Sequence, residues 1–287
     1  MLWVLLSLMT AFFDSLKYVF SKEGLKNLDE YVVALSLSLF ALPFLLPLLF
    51  FIEIPILGKN FLWALICLVL LNITTTILYV KAIKVSDLSL TVPMLAFTPL
   101  FLLFTSPLLV GEFPTFLGLI GVLLIVFGAY ELNIKKRKLG YLEPFKALVK
   151  EKGPRLMLLV AFIWSFSSNI DKIGIQNSSP IFWIIATRSL IAPIMILIVM
   201  YKSKKKLMNV FQNYKKLLPV GLSVSLVLIF QMIALNLTLV SYVIAIKRTS
   251  IIFSVLFGFL IFKEKGIKER LIGSIIMVVG VILITLS

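Results

Sequence analysis

A chain of 287 residues that is 61% hydrophobic and only 14% charged is not an ordinary soluble domain. Its 28 Lys and Arg against 13 Asp and Glu give a formal charge of +15, but 22 of those cations lie in or beside connections between apolar runs, the pattern of membrane topology rather than of nucleic-acid binding. The chain has no histidine, hence neither the commonest metal ligand nor the usual proton relay, and its one cysteine, Cys67, excludes an internal disulfide.

Apolar runs of about 20 residues, the length that crosses ~30 Å of hydrocarbon as a helix, recur along the whole chain. The alternating ten-residue pattern of a membrane β-barrel is missing, so the backbone must satisfy its hydrogen bonds within helices. The expected helices are 2–20, 31–52, 60–82, 87–110, 114–132, 155–174, 180–201, 217–238, 240–262 and 267–286. The first run lacks a basic leader and a small-residue cleavage site, so it reads as a retained helix rather than a signal peptide. Two connections are long, polar and basic: 133–154 (NIKKRKLGYLEPFKALVKEKGP), in which Phe145–Val149 suits a short surface helix, and 202–216 (KSKKKLMNVFQNYKK).

The chain repeats itself. At a shift of 150, Ala11 meets Ala161, Ser15 meets Ser165, Lys22 meets Lys172, Asn27 meets Asn177 and Pro43 meets Pro193. From the third helix the shift is 152, and Ala82 meets Ala234, Glu112 meets Glu264, Gly121 meets Gly273 and Gly128 meets Gly280. The expected organisation is a five-helix repeat over 1–132, a basic linker over 133–154 and a second five-helix repeat over 155–287. Five is odd, so the halves are expected to lie in opposite orientations, a plan of secondary transporters with the substrate site near the midplane between them. The repeat also places the start of the ninth helix near Val240, because the break at Val85-Ser86-Asp87 maps onto Leu237-Thr238-Leu239.

Cations concentrate in the connections after helices 1, 3, 5, 7 and 9, which puts those on the cytoplasmic side and both termini outside. Helices 7 and 9 then enter from outside. Arg188 lies about eight residues into one and Lys247 about seven into the other, both some 10–13 Å deep. Lys247, Ser250, Ser254 and Gly258 follow i, i+3, i+7, i+11, a polar-to-small stripe on one helix face.

A charge at mid-membrane costs about 2.5–3.5 kcal/mol, so each buried ion needs a reason. The Arg188 guanidinium suits bidentate recognition of a carboxylate or phosphate, or else a structural pair with Asp14 or Asp171. Lys247 and Arg248 serve a ligand or snorkel to headgroups. Asp14, the carboxylate deepest in an expected span, is either a group that exchanges a proton for a cation or an ion-pair partner of Lys17, three residues on. Asn72, Thr75, Thr76 and Tyr79 give helix 3 a polar side; Trp164, Ser165, Ser168 and Asn169 do so for helix 6, and Gln231 and Asn236 for helix 8. Such groups either line a cavity or hydrogen-bond between helices. The repeated glycines suit close helix packing, and Glu112 and Glu264, at helix ends, suit structural anchoring.

The two repeats end alike: Val110-Gly111-Glu112 with Gly121 and Gly128, then Lys263-Glu264 with Gly273 and Gly280. Together with Trp164-Ser165 and Lys172 in helix 6, these endings are similar to the EamA-type branch of the drug/metabolite transporter superfamily. The resemblance covers essentially the whole chain. It implies a ten-helix carrier with inverted halves, helices 1–4 and 6–9 around a central cavity and helices 5 and 10 at the periphery, moving small metabolites without ATP. It also implies termini inside, against the loop-charge reading. The chain departs from the pattern at Asp14, where the second half has Trp164, and at Ile251, where the first half has Pro99. Small multidrug-resistance relatives use a first-helix carboxylate for proton coupling, an analogy of place for Asp14.

The expectation is a secondary carrier of a small, anionic or carboxylate-bearing metabolite in a cell membrane, working by alternating access. Its expected substrate contacts are Arg188, Lys247, Arg248, Ser250, Asp14, Lys17, Asn72, Tyr79, Trp164, Ser165, Asn169 and Gln231. The alternative is a proton-coupled exporter of cationic or amphipathic compounds centred on Asp14. A membrane enzyme is disfavoured, because the sequence offers no metal cluster, no paired carboxylates at one depth and no phosphate-cradling glycine loop. No cofactor, metal or nucleic acid is expected. The expected partners are the metabolite and the bilayer, with the chain a monomer or a homodimer.

Overall fold

The computed structural model describes residues 1–86, 91–131, 151–202, 204–262 and 271–287. These residues form helices and turns, with no strand among them. Six helical segments are long and apolar enough to cross a membrane: Leu2–Leu25, Glu30–Phe51, Phe61–Val85, Lys152–Gln176, Pro180–Lys202 and Tyr214–Leu237. The protein is a multi-pass membrane protein. Large apolar side chains such as Leu62, Ile66, Leu70, Phe104, Phe127 and Ile275 are exposed on its outer faces, as a lipid-facing surface requires.

In chain order the helices are α1 (Leu2–Leu25), α2 (Glu30–Leu39), α3 (Leu42–Leu45), α4 (Phe61–Val85), α5 (Thr98–Val110), α6 (Phe116–Glu131), α7 (Lys152–Gln176), α8 (Pro180–Lys202), α9 (Lys204–Gln212), α10 (Tyr214–Leu237), α11 (Val240–Lys247), α12 (Ser250–Phe262) and α13 (Leu271–Thr285). Asp29 caps α2 by accepting from the Tyr31 amide at 3.0 Å.

Three expected helices are broken. The second gives way after Leu39 to the single turn α3 and a 3₁₀ segment, Leu46–Phe51, where Pro43 and Pro47 remove amide donors. The fourth runs as 3₁₀ over Val92–Phe97 before α5 begins at Thr98, with a proline in the first turn of each piece. The ninth breaks between α11 and α12 at Arg248-Thr249, where short i→i+3 bonds from Thr249 to Ile246 and from Ile251 to Arg248 replace the α-helical ladder. The polar stripe expected from Lys247 to Gly258 is therefore interrupted at its first step. The connection after α8, expected as a polar linker, contains the helix α9, which packs on α2 and α8. The short helix expected at Phe145–Val149 lies outside the described residues.

The packing is pseudo-symmetric. α1 packs on α10 as α7 packs on α4; α5 meets α7 as α11 and α12 meet α1. The pairs α2·α8 and α6·α13 each join equivalent helices. In the second pair a Cβ on Gly121 would stand 2.7 Å from the Gly280 carbonyl oxygen, and one on Gly128 would stand 2.6 Å from that of Gly273. Gly121 beside Gly280 and Gly128 beside Gly273 means that equivalent helices run antiparallel, with backbones too close for any side chain.

The halves are also stapled where α5 ends. Gly111 takes φ 69°, a left-handed cap that halts the helix and presents Glu112. Glu112 accepts from the Val240 amide at 2.7 Å and pairs with Lys172 at 3.3 Å, while Lys172 donates to the carbonyls of Leu235 and Thr238. This anchors the turn between α10 and α11. Its equivalent, Glu264, lies outside the described residues.

Candidate functional site

A cavity of about 110 Å³ lies between the halves, walled by residues of α1, α2, α4, α7, α8, α10 and α11 and by Arg248. Among the described residues, α6 and α13 contribute nothing to the wall.

Two helix interruptions meet at Arg248. Arg248 caps α11, its amide still bonded to the Ile244 and Ala245 carbonyls, and its Nη2 donates to Thr98 Oγ1 at 2.9 Å, at the start of α5. Thr98 is the equivalent of Ser250, so the interruptions of the fourth and ninth helices meet across the pseudo-axis. Arg188, on α8, donates from Nη1 to its own equivalent on α2, Ser38 Oγ, at 3.3 Å. Among the described residues Arg188 Nε and Arg248 Nε and Nη1 are buried without an acceptor. Neither guanidinium has a carboxylate within 4.0 Å among those residues, although Asp171 lies near enough to Arg188 for a longer-range Coulomb interaction. A buried donor left unmet costs about 1–3 kcal/mol and more when charged, so these groups stand out from the rest of the interior.

The lysines are better matched. Asp14 is fully buried and accepts from Lys17 Nζ at 2.5 Å and from Tyr18 Oη at 2.6 Å. Lys247 Nζ lies 3.8 Å from the same carboxylate and donates to Gln231 Oε1 at 2.7 Å. Aromatic faces complete the wall: Lys17 sits 5.6 Å from the Tyr79 ring centre, and Arg248 sits 5.7 Å from that of Trp164.

Eight of the twelve residues singled out in the sequence line this cavity: Lys17, Asn72, Tyr79, Trp164, Arg188, Gln231, Lys247 and Arg248. Asp14 sits behind Lys17 rather than on the wall. Ser250 is buried at the start of α12, off the wall. Ser165 donates to the Phe162 carbonyl of its own helix. Asn169 is consumed in helix packing, donating to Thr105 Oγ1 at 3.0 Å and accepting from Ser106 Oγ at 2.8 Å. The reason is angular: Ser165 and Asn169 share one face of α7, while Trp164, Ser167, Ser168 and Asp171 share another.

Asp171 belongs to the wall and was read in the sequence only as a partner for Arg188. Its Oδ1 accepts from Trp183 Nε1 at 2.8 Å. The signal that finds it is its i+7 spacing from Trp164 through Ser167 and Ser168. Trp183, fully buried against Gly174 and Phe61, is a wall residue without a distinctive sequence signal.

A family model described as "EamA-like transporter family" matches residues 1–134 and, a second time, residues 152–286. Among curated proteins no sequence matches. The fold is similar to a solved structure described only as "Crystal structure of protein", with a TM-score of 0.71 at 15% identity over 99% of this chain and 96% of that one.

Proposed function

The chain belongs to the EamA-like transporter family, within the drug/metabolite transporter superfamily, and from that premise we propose that its central cavity carries a small anionic or carboxylate-bearing metabolite. The observation that supports this is the pair of buried guanidinium groups, Arg188 and Arg248, which belong to the cavity wall, keep N–H donors without an acceptor and have no acid within ion-pair distance among the described residues. Lys247, shared between Asp14 and Gln231, adds a third cation from the same half.

In this reading the chain crosses the membrane ten times, as inverted repeats over 1–132 and 155–287 joined by the linker 133–154. It is a secondary active carrier. One half rocks against the other about the pseudo-axis through α2 and α8, and the cavity faces each side in turn. The guanidiniums replace the water shell of the cargo, and the broken helices at Thr98 and Arg248 supply the irregular backbone that transporter sites place at a water-filled cavity. The basic connections face the cytoplasm and both termini face outside. The protein acts as a monomer or a homodimer, with the seam of α6 and α13 at its periphery.

The alternative exporter reading centres on Asp14. It requires that carboxylate to leave Lys17 and Tyr18 for a cationic cargo, whereas the guanidiniums need no prior release. The test is flux into proteoliposomes without ATP. The anionic reading expects uptake of labelled carboxylates that falls at least about tenfold in Arg188→Ala, the loss of one charge-assisted contact. Unchanged anion flux in Arg188→Ala and Arg248→Ala, with amine flux abolished by Asp14→Asn, overturns it.

A further inference from the structure

The charge around the cavity does not close. Lys17, Arg188, Lys247 and Arg248 face it, and Asp14 and Asp171 are the carboxylates that answer them. Among the described residues, four cations against two acids leave a formal excess of two. Asp14 is engaged by Lys17 at 2.5 Å and by Lys247 at 3.8 Å. Asp171 is held by Trp183 Nε1 and has no cation within 4.0 Å among the described residues. Among the described residues Arg188 and Arg248 hydrogen-bond only to neutral hydroxyls, Ser38 Oγ and Thr98 Oγ1, and Arg248 is 2% exposed.

Uncompensated charge in a low-dielectric site is costly, and a ligand is the group free to compensate it. A monoanion leaves one guanidinium unanswered. Two negative charges close the sum. The guanidiniums also come from separate elements, α8 and the α11–α12 junction, which gives two landing points. We propose that the cargo is a small dianion, a dicarboxylate or a phosphate monoester. The inference rests on the anionic reading above and narrows it from one negative charge to two.

The test is binding to the purified full chain in lipid nanodiscs at neutral pH, using matched pairs that differ by one charge. Succinate is set against succinamate, and glycerol phosphate against its methyl phosphodiester. The expected result is that at least one dianion binds about tenfold or more tightly than its monoanionic partner, and the dianion preferred identifies the headgroup chemistry. Arg248→Gln, which removes one positive charge, is expected to bring that ratio close to one, and Arg188→Gln to do the same. Equal or tighter binding of the monoanions overturns the dianion inference and leaves the anionic reading standing. Binding of a cationic amine in place of all four anions overturns both. Binding of none of the four at millimolar concentration also overturns the dianion inference.

Discussion

The seam between α6 and α13 and the wall of the central cavity are both built from equivalent positions of the two repeats, yet they treat that equivalence in opposite ways. At the seam the close-packing glycines are the same in both halves. Gly121 and Gly128 match Gly273 and Gly280, and each backbone lies against the other helix's backbone. At the cavity the residues differ. Arg188 stands opposite Ser38; Lys247 and Arg248 have Leu95 and Ala96 as counterparts; Asp14 has Trp164, Lys17 has Ser167 and Asp171 has Ser21. Packing two helices across a symmetry axis needs the same small surface twice. The cavity wall instead carries different groups on its two sides, and three of its four cations come from the second half.

The sharpest way to break the contrast is at Asp14. Asp14→Ala leaves Lys17 and Lys247 without their shared carboxylate, and losing one partner of a buried pair costs about 3–5 kcal/mol. Thermal unfolding in detergent is expected to show a large fall in Tm, with Asp14→Asn smaller.

At the seam, Gly121→Val places methyl groups into the Gly280 backbone and the Ile284 side chain, an overpacking cost of about 3 kcal/mol. Ligand preference is expected to stay as in the wild type, measured in whatever fraction remains folded. At the cavity the pattern inverts. Arg248→Ala is expected to weaken anion binding by about tenfold to a hundredfold, the range of one charged hydrogen bond, while Tm holds or rises because unmet buried donors are gone. The smallest effect is expected at Lys84 and Glu30, an exposed pair far from both regions. Glu30→Gln should cost under about 1 kcal/mol, and less in high salt.

Much of the seam and half of the cavity's logic were legible in the sequence, because both leave periodic or repeated signals. Paired glycines seven apart at a constant shift mark a helix surface wherever it packs. Arg188 and Lys247 were legible as ions too deep for topology, and they do line one cavity. The misplaced residues share a physical cause. Ser165 and Asn169 lie one residue beyond Trp164 and Ser168, about 100° around the helix, and a polar face does not reveal which neighbour it meets. On α7 that neighbour is α5, whose Thr105 and Ser106 satisfy Asn169. The break at Arg248-Thr249 was hidden for another reason: it contains neither proline nor glycine, and local 3₁₀ bonding with the Thr249 hydroxyl stabilises it. The proline that marks the equivalent interruption, Pro99, is replaced by Ile251.

The central claim is that the buried guanidiniums hold an anion, and the most direct measurement is thermal stability of the purified protein against anionic, zwitterionic and cationic metabolites, with Arg248→Ala alongside. A ligand at 100 times its Kd adds about 2.7 kcal/mol to the folded state. The account predicts stabilisation by anions that disappears in Arg248→Ala. Stabilisation confined to cations, kept in Arg248→Ala and lost in Asp14→Asn, would contradict it.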